Sequence, residues 1–249
     1  MDPVGLPADL VQALDRAAAT ERLLVASDFD GTLAPIVSNP ADARPLSGAA
    51  DALRALAGLP STTVALVSGR ALETLRTLSS MPLAVHLVGS HGAELDTGFT
   101  QSIDGDLLER ITTALTEIAA NRPGVTVEPK PASVALHVRN ASAADGRAAL
   151  EAAHAAAPEW DAELTEGKSV LEFAVISTDK GEAIDIIRDR DDATAVVFFG
   201  DDVTDEKAFR RMRDGDVGVK VGPGDTLAAY RVESPDDVET ALAYLARQR

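Results

Sequence analysis

The chain alternates short apolar runs with amphipathic stretches, and it breaks that rhythm in its middle third. Residues 23–26 (Leu-Leu-Val-Ala), 62–67 (Thr-Thr-Val-Ala-Leu-Val) and 84–88 are short and mostly apolar. They close on Asp28, on Ser68-Gly69 and on Gly89-Ser90-His91-Gly92. Runs of this length, bounded by glycine, predict buried strands. A helix at 10–19 leads into them. Between them, 45–59 carries Leu53, Leu56 and Ala57 on one stripe, and 71–78 carries Leu72, Leu75 and Leu78 at helical spacing. The β-α-β-α-β order predicts a parallel sheet with right-handed crossovers. It resumes after Asp179 with a helix at 180–189, a strand at 195–199, a helix at 206–212, a strand at 217–221 and a terminal helix at 236–247.

The middle differs. Residues 103–120 form a strong amphipathic helix, with Ile103, Leu107, Ile111, Leu115 and Ile118 on one stripe, ended by Pro123-Gly124. Strands are predicted at 125–130, 134–139, 161–166 and 169–176, with a helix at 143–156. The fold class is therefore α/β. A Rossmann-like parallel-sheet core takes residues 1–100 and 179–249, and an α+β cap is inserted at 101–178. Parity sorts the inserted strands into two faces. Glu128 and Lys130 oppose Val125 and Val127; His137 and Arg139 oppose Val134, Leu136 and Val138; Lys168 and Glu172 oppose Leu171, Phe173 and Val175. The apolar faces call for the two helices as cover. The polar faces either roof a site or simply face water, as antiparallel sheets commonly do.

Composition narrows the class. At 249 residues, with 45% hydrophobic and 25% charged, the chain is ordinary for a globular protein. It has no cysteine, hence no disulfide, thiolate zinc site or cysteine nucleophile, which suits the cytoplasm. A net charge of −17 argues against nucleic acid and anionic membrane as partners. Residues 1–9 lack a basic region followed by an apolar core, so no signal peptide is expected. No apolar run approaches the ~20 residues that span a bilayer.

Four polar segments carry candidate chemistry. Asp28 and Asp30 sit two apart where the first strand ends, so along extended backbone both carboxylates face one pocket. Two such charges call for a cation, and oxygen ligands without sulfur point to Mg²⁺. Ser68-Gly69-Arg70 ends the second strand and offers a hydroxyl and backbone N–H groups to a phosphate; alone, Ser68 reads as a helix N-cap. Lys180 opens a helix, where its charge is misplaced unless an anion sits there; alone, it reads as a surface lysine. Gly200-Asp201-Asp202-Val203-Thr204-Asp205 crowds three carboxylates at another strand end, more than one cap needs.

In this order the segments resemble the haloacid dehalogenase superfamily of aspartate-nucleophile phosphatases, across about residues 20–95 and 179–225. Segments 27–36, 89–94 (Gly-Ser-His-Gly-Ala-Glu), 127–130 (Val-Glu-Pro-Lys), 137–139 (His-Val-Arg) and 166–172 resemble the trehalose-6-phosphate phosphatase family more closely. Val138 departs from that pattern, which has an aromatic residue there. The resemblance implies Asp28 as nucleophile, Asp30 as acid and then base, and Lys180 and Ser68 as catalytic partners. It implies Mg²⁺ held by Asp28, Asp30 (through its main-chain carbonyl) and Asp201, supported by Asp202 and Asp205. Gly69, Arg70, His91, Gly92, Glu128, Lys130, His137, Arg139, Lys168 and Glu172 would line the phosphate and sugar. The implied activity is hydrolysis of trehalose 6-phosphate by a monomeric cytoplasmic enzyme. A phosphatase for sucrose phosphate or mannosyl-3-phosphoglycerate, or a non-catalytic sugar-phosphate sensor, remains open from the residues.

Overall fold

The computed structural model describes residues 5–99, 102–176 and 179–249. The chain divides into two compact units, Met1–Gly98 with Asp179–Arg249, and Phe99–Thr178.

The first unit is built on six parallel strands. Numbered along the chain, they are β1 (Leu23–Ser27), β2 (Thr62–Val67), β3 (Val85–Val88), β10 (Ala195–Gly200), β11 (Val217–Val221) and β12 (Tyr230–Val232), in the order β12-β11-β10-β1-β2-β3. Both faces are covered, which is why the strands read as continuous apolar runs. Leu23, Val25, Leu66, Val197 and Phe199 pack on one face with Leu14, Leu53 and Leu242. Those three come from helices α1 (Ala8–Ala18), α2 (Ser47–Ala57) and α8 (Pro235–Gln248). Leu24, Ala26, Val196 and Phe198 pack on the other with Ile184, Ile187 and Phe209. These come from α6 (Lys180–Arg190) and α7 (Asp205–Arg210). Helix α3 (Leu72–Ser79) joins β2 to β3.

The register fixes the site. Ser27 lies opposite Phe199 on one side and Leu66 on the other. The carboxyl ends of β10, β1 and β2 are therefore level, where open α/β sheets place ligands.

Helix and strand ends match expectation or differ from it by at most two residues, and two elements were unexpected. β12 is a three-residue edge strand whose centre is Arg231. A hairpin of β4 (Glu94–Leu95) and β5 (Gly98–Phe99) has only two residues per strand. Neither is long enough to show alternation.

The second unit holds the antiparallel strands β6 (Thr126–Pro129), β7 (Ser133–His137), β9 (Val170–Ala174) and β8 (Glu163–Gly167), in that spatial order. Helices α4 (Gly105–Ala119) and α5 (Ala143–Ala156) supply Leu107, Ile111, Leu115, Ala149 and Ala153 against Val134, Leu136, Leu171 and Phe173. Trp160 meets Phe173 edge-on at 4.9 Å. The expected cover of the apolar face is thus present. α4 starts at Gly105 rather than 103 because the Asp104 side chain caps it, accepting from Leu107 N–H at 2.9 Å. β7 stops before Arg139 because Ala141 N–H turns back to the Val138 carbonyl. Lys168 lies in the β8–β9 turn beside Ser169, whose φ is +68°. The expected strand alternation therefore does not reach Arg139 or Lys168. No helix among the described residues is long and apolar enough to cross a membrane.

Candidate active site

Asp28 continues the β1 ladder by one residue, its N–H donating to the Phe199 carbonyl at 2.9 Å. The chain then folds back: Leu33 and Ala34 N–H both donate to the Phe29 carbonyl, at 3.0 and 2.8 Å. Phe29, Leu33 and Ala34 are fully buried, so apolar side chains pin a turn that carries Asp28 and Asp30 at its head. Gly31 sits at φ +78°, and a Cβ there would lie 2.2 Å from Asp201 Oδ2. Only glycine lets this turn approach Asp201 so closely.

Helix α6 presents Lys180. The Asp179 side chain caps it, accepting from the N–H groups of Gly181 and Glu182. Lys180, its side chain 2% exposed, meets Asp28 Oδ1 at 2.9 Å and Asp205 Oδ1 at 2.7 Å. Asp205 Oδ2 accepts from Asp202 N–H at 2.9 Å, and Asp201 Oδ1 accepts from Thr32 at 3.2 Å. Asp28, Asp201 and Asp205 each bring one oxygen within 4.8 Å of the others.

The electrostatics are unbalanced toward negative charge. Burial works against the Lys180 ammonium, but Asp205 and Asp28 more than offset it and hold its pKa above the usual lysine range. Burial raises Asp28 well above the usual carboxylate value despite Lys180, with Asp205 and Asp201 adding to the rise. Asp201 is pushed up to about 6, first by burial and then by Asp205. Lys180, the one ammonium in ion-pair contact with the cluster among the described residues, does not neutralise three carboxylates, and an all-oxygen set of this size suits a hard divalent cation. Asp205 already uses both oxygens, on Lys180 and Asp202. Asp28 and Asp201 are the better placed pair to hold such an ion.

Asp30 has a different partner. Arg70 forks onto it, Nε to Oδ2 and Nη2 to Oδ1, both at 2.6 Å, and the guanidinium lies 5.7 Å from the Phe29 ring centroid. The i, i+2 spacing thus gives Asp28 and Asp30 separate cations, Lys180 and Arg70. Ser68 is buried at the end of β2, and its Oγ accepts from Arg70 N–H at 3.2 Å. A Cβ at Gly69 would lie 2.3 Å from the His91 ring, and one at Gly92 would lie 2.4 Å from the Asp179 carbonyl. These two glycines allow the Ser68, His91 and Lys180 segments to close on one another.

A second polar cluster lies on the face of the β6-β7-β9-β8 sheet turned away from α4 and α5, where Glu128 and Glu172 both stand opposite Ala135. Lys130 meets Glu172 at 2.8 Å, Ser133 donates to Glu172 at 2.6 Å, and His137 meets Glu128 at 2.8 Å. The hydrogen bond from His137, joined by the charge of Lys130, holds the Glu128 carboxyl below its ordinary value against the effect of burial. Arg139 and Lys168 are exposed in their turns, apart from these contacts. Thr32, Ser133 and Lys220 were not among the expected site residues. Lys220 carried a visible signal, a lone charge within the apolar run 217–221.

A trehalose-phosphatase family model matches residues 26–236. An uncharacterized glycosyl hydrolase of Mycobacterium tuberculosis is 35% identical over 257 residues, covering 94% of this chain and 19% of that protein. The trehalose-phosphate phosphatase of Mycobacterium marinum is 35% identical over 261 residues, covering 96% of this chain and 66% of that protein. The chain thus spans less than two thirds of the length of either relative. The solved C-terminal domain of Candida albicans trehalose-6-phosphate phosphatase superposes with a TM-score of 0.83 over 99% of both chains. At 23% identity that likeness speaks for the fold alone. The chain belongs to the trehalose-phosphatase family.

Proposed function

We propose that the protein is a Mg²⁺-dependent phosphatase that hydrolyses trehalose 6-phosphate to trehalose and inorganic phosphate through an aspartyl-phosphate on Asp28. One observation carries the reading: the buried Lys180–Asp28 contact beside a three-carboxylate cluster, in a chain of this family. An ionised carboxylate needs no base to act as nucleophile. It does need positive charge to meet a phosphate dianion in a protein of net charge −17. Lys180 supplies part of that, and Mg²⁺ held by Asp28 and Asp201 would supply more, as electrostatic stabilisation of the phosphoryl oxygens.

In the first step an Asp28 oxygen bonds to phosphorus, the bond from phosphorus to the sugar oxygen breaks, and Asp30 gives that oxygen a proton. In the second step Asp30 takes a proton from water as the water oxygen attacks phosphorus, and the Asp28–phosphorus bond breaks. A substrate phosphate that draws the Arg70 guanidinium away frees the Asp30 carboxyl to meet the leaving sugar oxygen. Ser68 donates its hydroxyl hydrogen to a phosphoryl oxygen.

Residues 99–178 act as the specificity cap, with Glu128, Lys130, His137 and Glu172 taking the hydroxyls of the disaccharide. The test is phosphate release from trehalose 6-phosphate, sucrose phosphate and mannosyl-3-phosphoglycerate, with Mg²⁺ and with chelator. Release from trehalose 6-phosphate that dominates the panel and stops with chelator supports the reading. Preference for another phosphate, or binding without turnover, contradicts it.

A further inference from the structure

Lys220 places a charge inside the apolar strand β11. It is 4% exposed and stands opposite Gly200, the residue before Asp201. Its ammonium donates to the main-chain carbonyl of Asp201 and, at 3.2 Å, to that of Val221. Among the described residues no carboxylate lies within ion-pairing distance of it. A buried ammonium served by carbonyls alone is an expensive way to fill a strand position, where an apolar side chain of similar length would serve stability better.

We propose that Lys220 is a positioning residue for the metal centre. Asp201 is held at both ends, its main chain by Lys220 and its carboxylate by Thr32, and together they fix where that carboxylate points. Groups that orient a metal ligand change metal affinity when removed. The inference rests on the reading that Asp28 and Asp201 hold Mg²⁺.

The test is calorimetric titration of MgCl₂ into chelator-stripped wild type, Lys220→Met and Lys220→Gln, with thermal unfolding and trehalose 6-phosphate kinetics alongside. Lys220→Met is expected to weaken Mg²⁺ binding about ten-fold or more. Lys220→Gln, which keeps a neutral donor of roughly half the strength, is expected to weaken it about three-fold. The KM at saturating Mg²⁺ stays within about two-fold of wild type, because sugar contacts are untouched. A lowered Tm with unchanged Mg²⁺ affinity in the folded variants assigns Lys220 a merely structural role and overturns the proposal. Should Lys220→Met fail to fold, Lys220→Gln decides alone: weakened affinity supports the proposal, unchanged affinity overturns it. If wild type itself does not bind Mg²⁺, the metal reading falls, and this inference with it.

Discussion

The Lys180 ammonium lies 2.9 Å from Asp28 Oδ1, and neither side chain is more than 7% exposed. The same ammonium holds Asp205, so one cation serves two buried carboxylates. Removing one partner of a buried pair leaves an uncompensated charge, at a cost of about 3–5 kcal/mol. Lys180→Met is therefore expected to lose stability of that order in chelator at pH 8, measured by urea denaturation. The loss shrinks toward pH 5. Asp28 already has a raised pKa, so the folded variant takes up protons that the unfolded chain releases, and its stability falls as pH rises. A pH-independent loss would contradict this account. Adding Asp205→Asn should recover part of the lost stability.

The raised Asp201 pKa makes cation binding proton-linked. Its folded value of about 6 lies above the unfolded value of 3.8. Ionisation of Asp201 thus costs the metal-free folded state stability as pH rises toward 6, and a cation must displace that proton below 6. The Mg²⁺-induced rise in Tm is expected to grow from pH 5 to pH 7 and then level off. Asp201→Asn should raise the Tm of the chelator-treated protein at pH 8 and abolish the response to Mg²⁺. Differential scanning calorimetry at four pH values checks both, and a Mg²⁺ response that ignores pH would be inconsistent with a protonated Asp201.

The cap cluster should govern substrate choice rather than chemistry. Lys130→Ala and Glu172→Ala are expected to lower kcat/KM for trehalose 6-phosphate by about ten-fold or more, since each strips a site of a hydrogen-bonding group. The same variants should change kcat/KM for p-nitrophenyl phosphate by less than about three-fold. Equal losses on the two substrates would take these residues out of specificity.

Much of this was legible in the sequence because burial on both faces leaves strands such as Leu23–Ser27 and Ala195–Gly200 almost wholly apolar. The turns after those strands marked Asp28, Ser68 and Asp201, the helix start marked Lys180, and the family resemblance, not the local pattern, gave Ser68 and Lys180 their roles. Pairing was not legible. Nothing local says that Asp30 meets Arg70 across 40 positions, or that Lys220 reaches back to the carbonyl of Asp201. These contacts depend on strand order and register, which periodicity does not encode. Short elements escaped for a different reason. A strand of three residues centred on Arg231 shows no pattern, and Arg139 and Lys168 kept the parity of their strands in sequence after the backbone had already turned.

The most direct test of the central claim is phosphate release from trehalose 6-phosphate by Asp28→Asn in the presence of Mg²⁺. The amide keeps the shape and volume of the carboxylate but lacks the charged oxygen that bonds to phosphorus. Turnover is expected to fall by about a thousand-fold or more, with the folded state intact by circular dichroism. Turnover within ten-fold of wild type would contradict the assignment of Asp28 as nucleophile.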